Sequence, residues 1–326
     1  MTWSAEAPSN IALIKYMGKT NSAVNEPSNA SLSWTIDSLR TRVELEQKAQ
    51  AAVEDEWQPL LDFSTSSLVL SDKGQRRFLD HLGNIKREVF AYSGHFLVRS
   101  ANNFPADCGL ASSASSFAAL TRAAVAALSD LTEREPLSQK EMANLSRRGS
   151  GSSCRSFFSP WAIWHGSEVE SVDLPYDRLF HLAVIAEDKA KAVSSSEAHK
   201  KVTGSDLFPG RPERANQRLR ELLGALHEQH WPRAFQIIWA EFWDMHALFE
   251  TCPQPFGYMN RESLDVLNRA RQLWTQVGDG PWVTMDAGPN VHLLFRPDQE
   301  AMAQSVIADW GRDFRLIAEG EKRGRW

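Results

Sequence analysis

The first segment that could do chemistry is residues 105–116, where small residues and serine hydroxyls precede a helical pattern. Small residues let the backbone approach a ligand closely, and the free N–H groups at a helix start favour a phosphate. The segment contains no Gly-Lys-Ser or Gly-Lys-Thr, so it is not a Walker loop. Taken alone, a tight helix start with an alanine-rich packing face explains it equally well.

The second segment, residues 147–156, places three arginines in a run rich in glycine and serine. Such a segment can surround a carboxylate or phosphate with backbone N–H groups and a bidentate arginine. A flexible basic surface loop is the alternative. Apolar stretches flank the segment closely, so it is not a linker, and this favours a binding role.

Two single charges complete the set. Lys15 lies in the apolar, strand-like run of residues 10–19, where it is either an edge-strand lysine or a buried cation that needs a partner. Asp286 follows a strand-like stretch and enters the tight turn of residues 287–290. An aspartate that bonds the backbone of its own turn is common. Four such segments in one chain favour a functional site over four unrelated structural features.

The first half of the chain supplies strands and helices that could position these segments. Strict alternation over residues 39–46 predicts a half-buried strand with one solvent face. The apolar patterns further predict a helix over 78–90, a strand at 96–98, a helix that includes residues 117–128, a helix from about Ser138 and a strand at 161–165.

The pattern changes near residue 180, where an apolar strand at 182–186 is followed by long helical runs. The predicted elements are helices 212–230, 232–250 and 263–277, strands 281–286 and 291–295, a helix 299–310 and a strand 314–317. Pro212 and Pro232 suit first-turn positions of their helices. This mixture predicts an α+β fold with two domains, residues 1–180 and 181–326.

Composition excludes several classes of protein. The 326 residues suffice for two domains, and a net charge of −5 argues against general nucleic-acid binding. The widely spaced Cys108, Cys154 and Cys252 are expected to be buried thiols rather than disulfides or zinc ligands. The N-terminus lacks a signal-peptide pattern, and no run approaches about 18 apolar residues, so we expect no membrane span.

Together the four segments resemble signature sequences of the GHMP family of small-molecule kinases, and within it the diphosphomevalonate decarboxylase branch. The matching stretches are residues 102–105 leading into 109–113, residues 149–152 with Arg155, residues 286–290 and, more loosely, residues 256–260. They occur in the expected order, so the resemblance covers nearly the whole chain.

The resemblance implies a GHMP kinase-like two-domain fold. Its N-terminal domain would be like domain 2 of ribosomal protein S5, with a left-handed βαβ unit, and its C-terminal domain would be ferredoxin-like. It also implies a reaction that uses ATP and Mg2+: the 3-hydroxyl of mevalonate 5-diphosphate is phosphorylated, and the phosphate then leaves with CO2 to give isopentenyl diphosphate. A cytoplasmic homodimer that binds small molecules, without nucleic-acid or membrane partners, is implied as well.

The resemblance also implies roles for individual residues. Asp286 would be the base or orienting group at the 3-hydroxyl, Lys15 would hold it ionised, and Arg155 would grip the substrate carboxylate. Ser150, Gly151 and Ser152 would surround that carboxylate; Tyr16, Lys19, Ser194 and Ser195 would meet the phosphate end; and Gly109, Leu110, Ala111, Ser112 and Ser113 would cradle ATP. No residue is assigned to Mg2+.

Three departures from the family pattern concern the pocket. Met17 stands where the family usually has tryptophan, Ala198-His199 replaces a Gly-Met pair, and the stretch at 251–253 is shorter. We expect His199 to be an exposed residue near a helix start; if it faced the pocket instead, it would add a donor to the terminal phosphate.

Three other functions stay open at this point. A decarboxylase of the monophosphate and a kinase that stops after 3-phosphorylation share the fold, and so could a non-catalytic binding module. The presence of Lys15, Arg155 and Asp286 together favours the full decarboxylase.

Overall fold

Groups of strands and groups of helices follow one another along the chain in a computed structural model that describes residues 1–61, 70–104, 110, 112–187 and 191–318. The strands are β1 (Thr2–Ile14), β2 (Lys19–Asn21), β3 (Glu26–Pro27), β4 (Ser31–Gln47), β5 (Glu56–Pro59), β6 (Phe96–Asn102), β7 (Trp161–His165), β8 (Glu168–Ser171), β9 (Phe180–Ile185), β10 (Trp282–Thr284), β11 (Val291–Phe295) and β12 (Arg315–Ala318). The helices are α1 (Asp72–Asn84), α2 (Ser112–Thr132), α3 (Gln139–Gly149), α4 (Ser195–Lys201), α5 (Arg211–His227), α6 (Trp231–Glu250), α7 (Arg261–Val277) and α8 (Glu300–Trp310).

The first sheet is built around β4, the strand whose alternation the sequence predicts. Its side chains alternate between buried and partly exposed from Leu39 to Glu46, as expected, although the strand begins earlier, at Ser31. β1 runs antiparallel along one edge of β4, while β6 and β7 pair with different halves of the other edge. The apolar face of this sheet packs against the alanine-rich α2, which is buried along most of its length.

Helix boundaries in this half follow capping residues. α1 begins at Asp72, six residues before the predicted start, because the Ser71 side chain accepts from the Gly74 N–H and caps the helix. A π-helical turn, Ile85–Phe90, continues it to the predicted end. Ser138 and Glu141 form a capping box on α3, and this confirms the helix predicted from about Ser138.

The second sheet has the strand order β10-β11-β9-β12, with every pair antiparallel. Helices connect β9 to β10, and α8 connects β11 to β12, so the element order is β-α-β-β-α-β. That order and pairing are those of a ferredoxin-like domain. The α+β fold class is therefore confirmed.

The long helices lie where the sequence predicts them, within a few residues. Pro212 and Pro232 occupy the first turns of α5 and α6, which begin at Arg211 and Trp231. The domain boundary near residue 180 stays a prediction; the first sheet ends at Ser171, and the second begins at Phe180. No helix in the described ranges is long and apolar enough to cross a membrane.

One expectation about a strand is wrong. Lys15 does not lie inside the strand, because β1 ends at Ile14 and residues 15–18 have no regular secondary structure. The direction of the Lys15 side chain is therefore not set by the alternation of side chains along β1. Cys154 and Cys252 are buried free thiols, as predicted, whereas Cys108 lies outside the described residues.

Candidate active site

A single pocket brings together residues from both halves of the chain. Most of the residues predicted for the site line it: Lys15, Tyr16, Lys19, Ser112, Ser113, Ser150, Gly151, Ser152, Arg155, Ser194, Ser195 and Asp286. Gly109 and Ala111 lie outside the described residues. Leu110 is not among the lining residues: its side chain packs in the core, and its carbonyl accepts from the Ser9 hydroxyl.

An ion pair between Lys15 and Asp286 joins the two halves of the chain inside this pocket. Lys15 is 1% exposed, and its Nζ lies 2.6 Å from Oδ1 of Asp286. Lys15 is thus the buried cation, rather than the edge-strand lysine, of the two sequence alternatives. Burial alone would raise the pKa of Asp286, but Lys15, His292 and Arg155 together hold it below its usual value. The carboxylate therefore stays ionised.

The backbone of Lys15 is held by a second, fully buried ion pair. Glu241 accepts from the Lys15 N–H at 3.0 Å, and Arg211 donates to the Lys15 carbonyl at 3.3 Å. Arg211 and Glu241 are both completely buried and pair with each other. Asn29 donates to the same carbonyl at 2.9 Å. Because α5 and α6 carry this pair, the two helices fix the position of Lys15.

Arg155 is a buried cation without an anionic partner. It is 3% exposed, its Nε donates to Asn10 at 3.1 Å, and its Nη1 donates to Ser31 at 3.1 Å. Among the described residues it makes no ion pair, since both of these acceptors are neutral. Burial lowers its pKa, and the charge of Asp286 opposes that shift. A guanidinium in this state is ready to bind the carboxylate or phosphate of a ligand.

The segment around Arg155 is rigid rather than a flexible surface loop. Residues Gly151–Phe157 form a short 3-10 helix that is almost wholly buried. A Cβ at Gly151 would lie 2.7 Å from Cε1 of Tyr16, so only glycine allows the tyrosine to pack there. Ser150 donates to Ser113 at 3.3 Å, which links this segment to the start of α2. Arg147 is also buried, and it donates to the carbonyl of Gly166 at 3.0 Å.

Lys19 and Tyr16 also line this pocket. Nζ of Lys19 donates to Asn25 at 2.6 Å. Burial and the nearby charges of Arg77 and Lys200 lower the pKa of Lys19 to about 8. The Tyr16 hydroxyl is buried and has no hydrogen-bond partner among the described residues. Burial raises its pKa above the usual range, so it remains a neutral donor.

The serines at the start of α4 are held in place from two sides. Ser194 caps the helix by accepting from the Glu197 N–H. Lys191 donates to the Ser195 hydroxyl at 2.9 Å and to the Ala287 carbonyl at 2.8 Å. Lys191 therefore connects the start of α4 to the turn that carries Asp286.

His199 is buried and lines the pocket, so the expectation of an exposed histidine is wrong. Its ring packs against Tyr16 with centroids 4.3 Å apart, and its Nδ1 accepts from the Gly18 N–H at 3.0 Å. The capped helix turns this residue inward one turn after Ser195.

Several residues that the sequence did not single out also shape the site. Arg77 of α1 and Met245 of α6 line the pocket. His246 has its Nε2 3.2 Å from the Asp286 carbonyl, so it must donate there, and burial keeps its pKa at about 3. The spacing of Arg211, Arg214 and Arg218, a basic stripe on one face of α5, is the signal that could have revealed the buried network.

Comparison with known families identifies both halves of the chain. Residues 7–173 match the model described as the diphosphomevalonate decarboxylase-like N-terminal domain. Residues 181–314 match the mevalonate 5-diphosphate decarboxylase C-terminal domain.

Individual relatives agree with these matches over most or all of their length. The diphosphomevalonate decarboxylase of Aspergillus fumigatus is 31% identical, with 94% of this chain and 80% of that protein covered. The crystal structure of a mevalonate diphosphate decarboxylase from Legionella pneumophila is 47% identical, with a TM-score of 0.91, and covers 97% of this chain and 100% of that one. A structure of MDDEF in complex with MVAPP, AMPPCP and magnesium is 31% identical, with a TM-score of 0.84 and coverage of 98% and 96%.

Proposed function

The chain belongs to the diphosphomevalonate decarboxylase family, and on that premise we propose that its pocket carries out the family's reaction. That reaction is the ATP-dependent decarboxylation of mevalonate 5-diphosphate to isopentenyl diphosphate, with ADP and phosphate as the other products. The observation that carries the assignment is a buried Arg155 without an anionic partner, in one pocket with an ionised Lys15–Asp286 pair.

The Lys15–Asp286 pair suits the first step, phosphorylation of the 3-hydroxyl. A carboxylate held ionised can accept a hydrogen bond from the hydroxyl and receive its proton as the oxygen attacks the γ-phosphoryl group. Lys15 stays close to that carboxylate at 2.6 Å and offers its charge to the transferred phosphoryl oxygens. The hydroxyl, a poor leaving group, thereby becomes a phosphate.

Arg155 suits the second step, in which phosphate and CO2 leave. Its planar guanidinium can hold the substrate carboxylate in a fixed orientation with two parallel hydrogen bonds. The C–C bond to the carboxylate then breaks, its electron pair forms the new double bond, and the C–O bond to the phosphate breaks. Ser150, Gly151 and Ser152 border the same region of the pocket.

The remaining polar lining suits the phosphate end of the substrate. Tyr16, Lys19, Ser194 and Ser195 are the predicted contacts, and Arg77 is added by its place in the lining. Lys191 also lies there and bonds the Ser195 hydroxyl. These two lysines and the arginine can bind a diphosphate more strongly than neutral side chains could, because a charge-assisted hydrogen bond is about twice as strong as a neutral one.

The start of α2 suits the phosphates of ATP. This 21-residue helix begins at Ser112, and Ser112 and Ser113 both line the pocket. Asp286 is the one carboxylate in the described lining, and it is paired with Lys15. Mg2+ would therefore be held mainly through the phosphates of the nucleotide, as is usual for this ion. It would neutralise charge on the transferred phosphoryl group.

Three further properties are proposed on the family resemblance. The domains are residues 1–180 and 181–326, which agrees with the division of strands between the two sheets. The protein is a cytoplasmic homodimer.

The test is incubation with ATP, Mg2+ and mevalonate 5-diphosphate, with CO2 and ADP measured together. We expect one CO2 for each ADP, and no ADP without the acid. ADP without CO2 would identify a 3-kinase. Absence of both products would identify a non-catalytic binding module. Mevalonate 5-phosphate is the comparison substrate, and equal kcat/KM for the two acids would contradict the diphosphate assignment.

A further inference from the structure

The position of His199 fixes which of its ring nitrogens carries the proton. Nδ1 lies 3.0 Å from the Gly18 backbone nitrogen and accepts from its N–H. An accepting imidazole nitrogen carries no proton, so the hydrogen of the neutral ring lies on Nε2. His199 is therefore a one-sided group, an acceptor towards the backbone and a donor on its other edge.

The donor edge of His199 is available to a ligand. The residue lines the pocket, and within the described part of the chain no residue accepts from Nε2. The ring is held against Tyr16, with centroids 4.3 Å apart and planes at 40°. Both the backbone bond and the ring contact restrict rotation, so the N–H direction is fixed in advance.

The surroundings keep the ring neutral. Burial and the charge of Lys19 lower the pKa of His199 to about 3. A protonated ring would lose its bond to Gly18 and would be repelled by the lysine. Lys19 supplies charge to this end of the pocket, and His199 can add a hydrogen bond without adding another charge.

A series of contacts links the turn that carries Asp286 to the helix that carries His199. Lys191 bonds both the Ala287 carbonyl, next to Asp286, and the Ser195 hydroxyl. His199 follows Ser195 by one turn on the same face of α4. A substrate whose 3-hydroxyl meets Asp286 would thus extend its terminal phosphate towards His199.

We propose that Nε2–H of His199 donates to the terminal phosphate of the substrate and contributes to its selection over the monophosphate. This inference rests on the proposed function. The methionine of the family pattern at this position has no such donor, so the contact is a feature of this chain's own sequence.

Two substitutions separate the two edges of the ring. His199→Asn keeps an acceptor near the position of Nδ1 but leaves no donor at the position of Nε2, because its amide is closer to the backbone, whereas His199→Gln can place a donor near the position of Nε2. We expect His199→Asn to raise the Kd for mevalonate 5-diphosphate roughly 10- to 100-fold, the range for one charge-assisted hydrogen bond. His199→Gln should recover much of that loss, and the Kd for mevalonate 5-phosphate should change less than threefold in both.

Titration calorimetry without turnover measures these constants and separates the two hypotheses. An unchanged Kd in His199→Asn, or equal losses for diphosphate and monophosphate, overturns the role of His199 while the parent still releases CO2. Absence of CO2 release by the parent overturns the proposed function instead.

A measurement on the parent protein covers the case in which a variant fails to fold. The 15N shifts of His199 in labelled protein report the tautomer directly. We expect an Nε2–H ring at pH 7 whose Nε2 signal shifts when mevalonate 5-diphosphate binds. A proton on Nδ1, or an Nε2 signal unaffected by the diphosphate, overturns the proposal.

Discussion

Two buried arginines differ in whether a carboxylate of the protein compensates the guanidinium charge. Arg211 is completely buried and lies 2.5 Å from a carboxylate oxygen of Glu241, which is completely buried as well. Arg155 is 3% exposed, and its hydrogen bonds among the described residues go to neutral oxygens of Asn10 and Ser31. The first charge is compensated within the protein, and the second is the one that we propose binds the substrate carboxylate.

This difference distinguishes residues that stabilise the fold from residues that we expect to take part in the reaction. Removing one partner of a buried ion pair typically costs about 3–5 kcal/mol of stability, because the other charge stays buried and unpaired. A buried charge without a compensating partner lowers the stability of the folded protein, and an anionic ligand recovers that loss when it binds. We therefore expect changes around Arg211 to affect folding and changes around Arg155 and Asp286 to affect turnover.

The largest effect is expected at the reacting end. Asp286→Asn removes the carboxylate proposed to meet the hydroxyl and also the charge that pairs with Lys15. We expect turnover to fall about 10²–10⁴-fold, the usual contribution of a positioned acid–base group. The Kd for ATP should stay nearly constant, since ATP is expected at the start of α2.

Single-turnover kinetics and nucleotide titration check this variant together. Turnover within threefold of the parent would remove Asp286 from the chemistry. A large loss of ATP affinity would show that the substitution disturbs the nucleotide site as well.

The supporting network is tested by Glu241→Gln, which keeps the shape and removes the charge. We expect the free energy of unfolding to fall by about 3–5 kcal/mol, because Arg211 is left in the core without its main partner. Denaturant unfolding with and without substrate analogue measures this change. A loss of turnover at unchanged stability would contradict the division between the two regions.

The network also shows where sequence reasoning reaches its limit. Asp286 and Arg155 could be singled out because each sits in a short segment whose turn or small residues carry a local signal, although the roles assigned to them came from the family resemblance. Glu241 could not, since it lies 226 positions from the Lys15 backbone that it holds. His199 was expected to be exposed because a histidine near a helix start usually faces water, but the cap at Ser194 sets α4 so that its fifth residue, His199, is buried.

A smaller loss is expected from Arg155→Lys, and it has matched controls in Arg147→Lys and Arg211→Lys. A lysine keeps the charge at Arg155 but cannot hold a carboxylate through two parallel bonds. We expect kcat/KM to fall roughly 10- to 100-fold, corresponding to the loss of about one charge-assisted hydrogen bond. Arg147 bonds only a backbone carbonyl among the described residues, so its lysine variant should retain most activity.

These three lysine variants sharpen the comparison when stability is measured as well. Arg211→Lys should lower the thermal midpoint more than Arg155→Lys does, while Arg155→Lys should lower kcat/KM more. Equal losses of kcat/KM in Arg155→Lys and Arg147→Lys would contradict a carboxylate-binding role for Arg155.

The smallest effect concerns the phosphate end, where one cation titrates near neutral pH. Burial, followed by the charges of Arg77 and Lys200, lowers the pKa of Lys19 to about 8. The lysine is charged below that pH and loses its proton above it, so its attraction for the diphosphate is present below pH 8 and fades as pH rises.

We expect the Kd for mevalonate 5-diphosphate to rise at most about tenfold per pH unit above 8, the limit for loss of one proton. In Lys19→Arg, whose side chain stays charged throughout, the Kd should be flat between pH 7.5 and about 9.5 even if its absolute value differs. If the Kd depends on pH in the same way in the parent and in Lys19→Arg, then Lys19 does not contact the diphosphate. If the Kd rises with pH in the parent but not in Lys19→Arg, then the charge of Lys19, like that of Arg155, serves to bind the ligand.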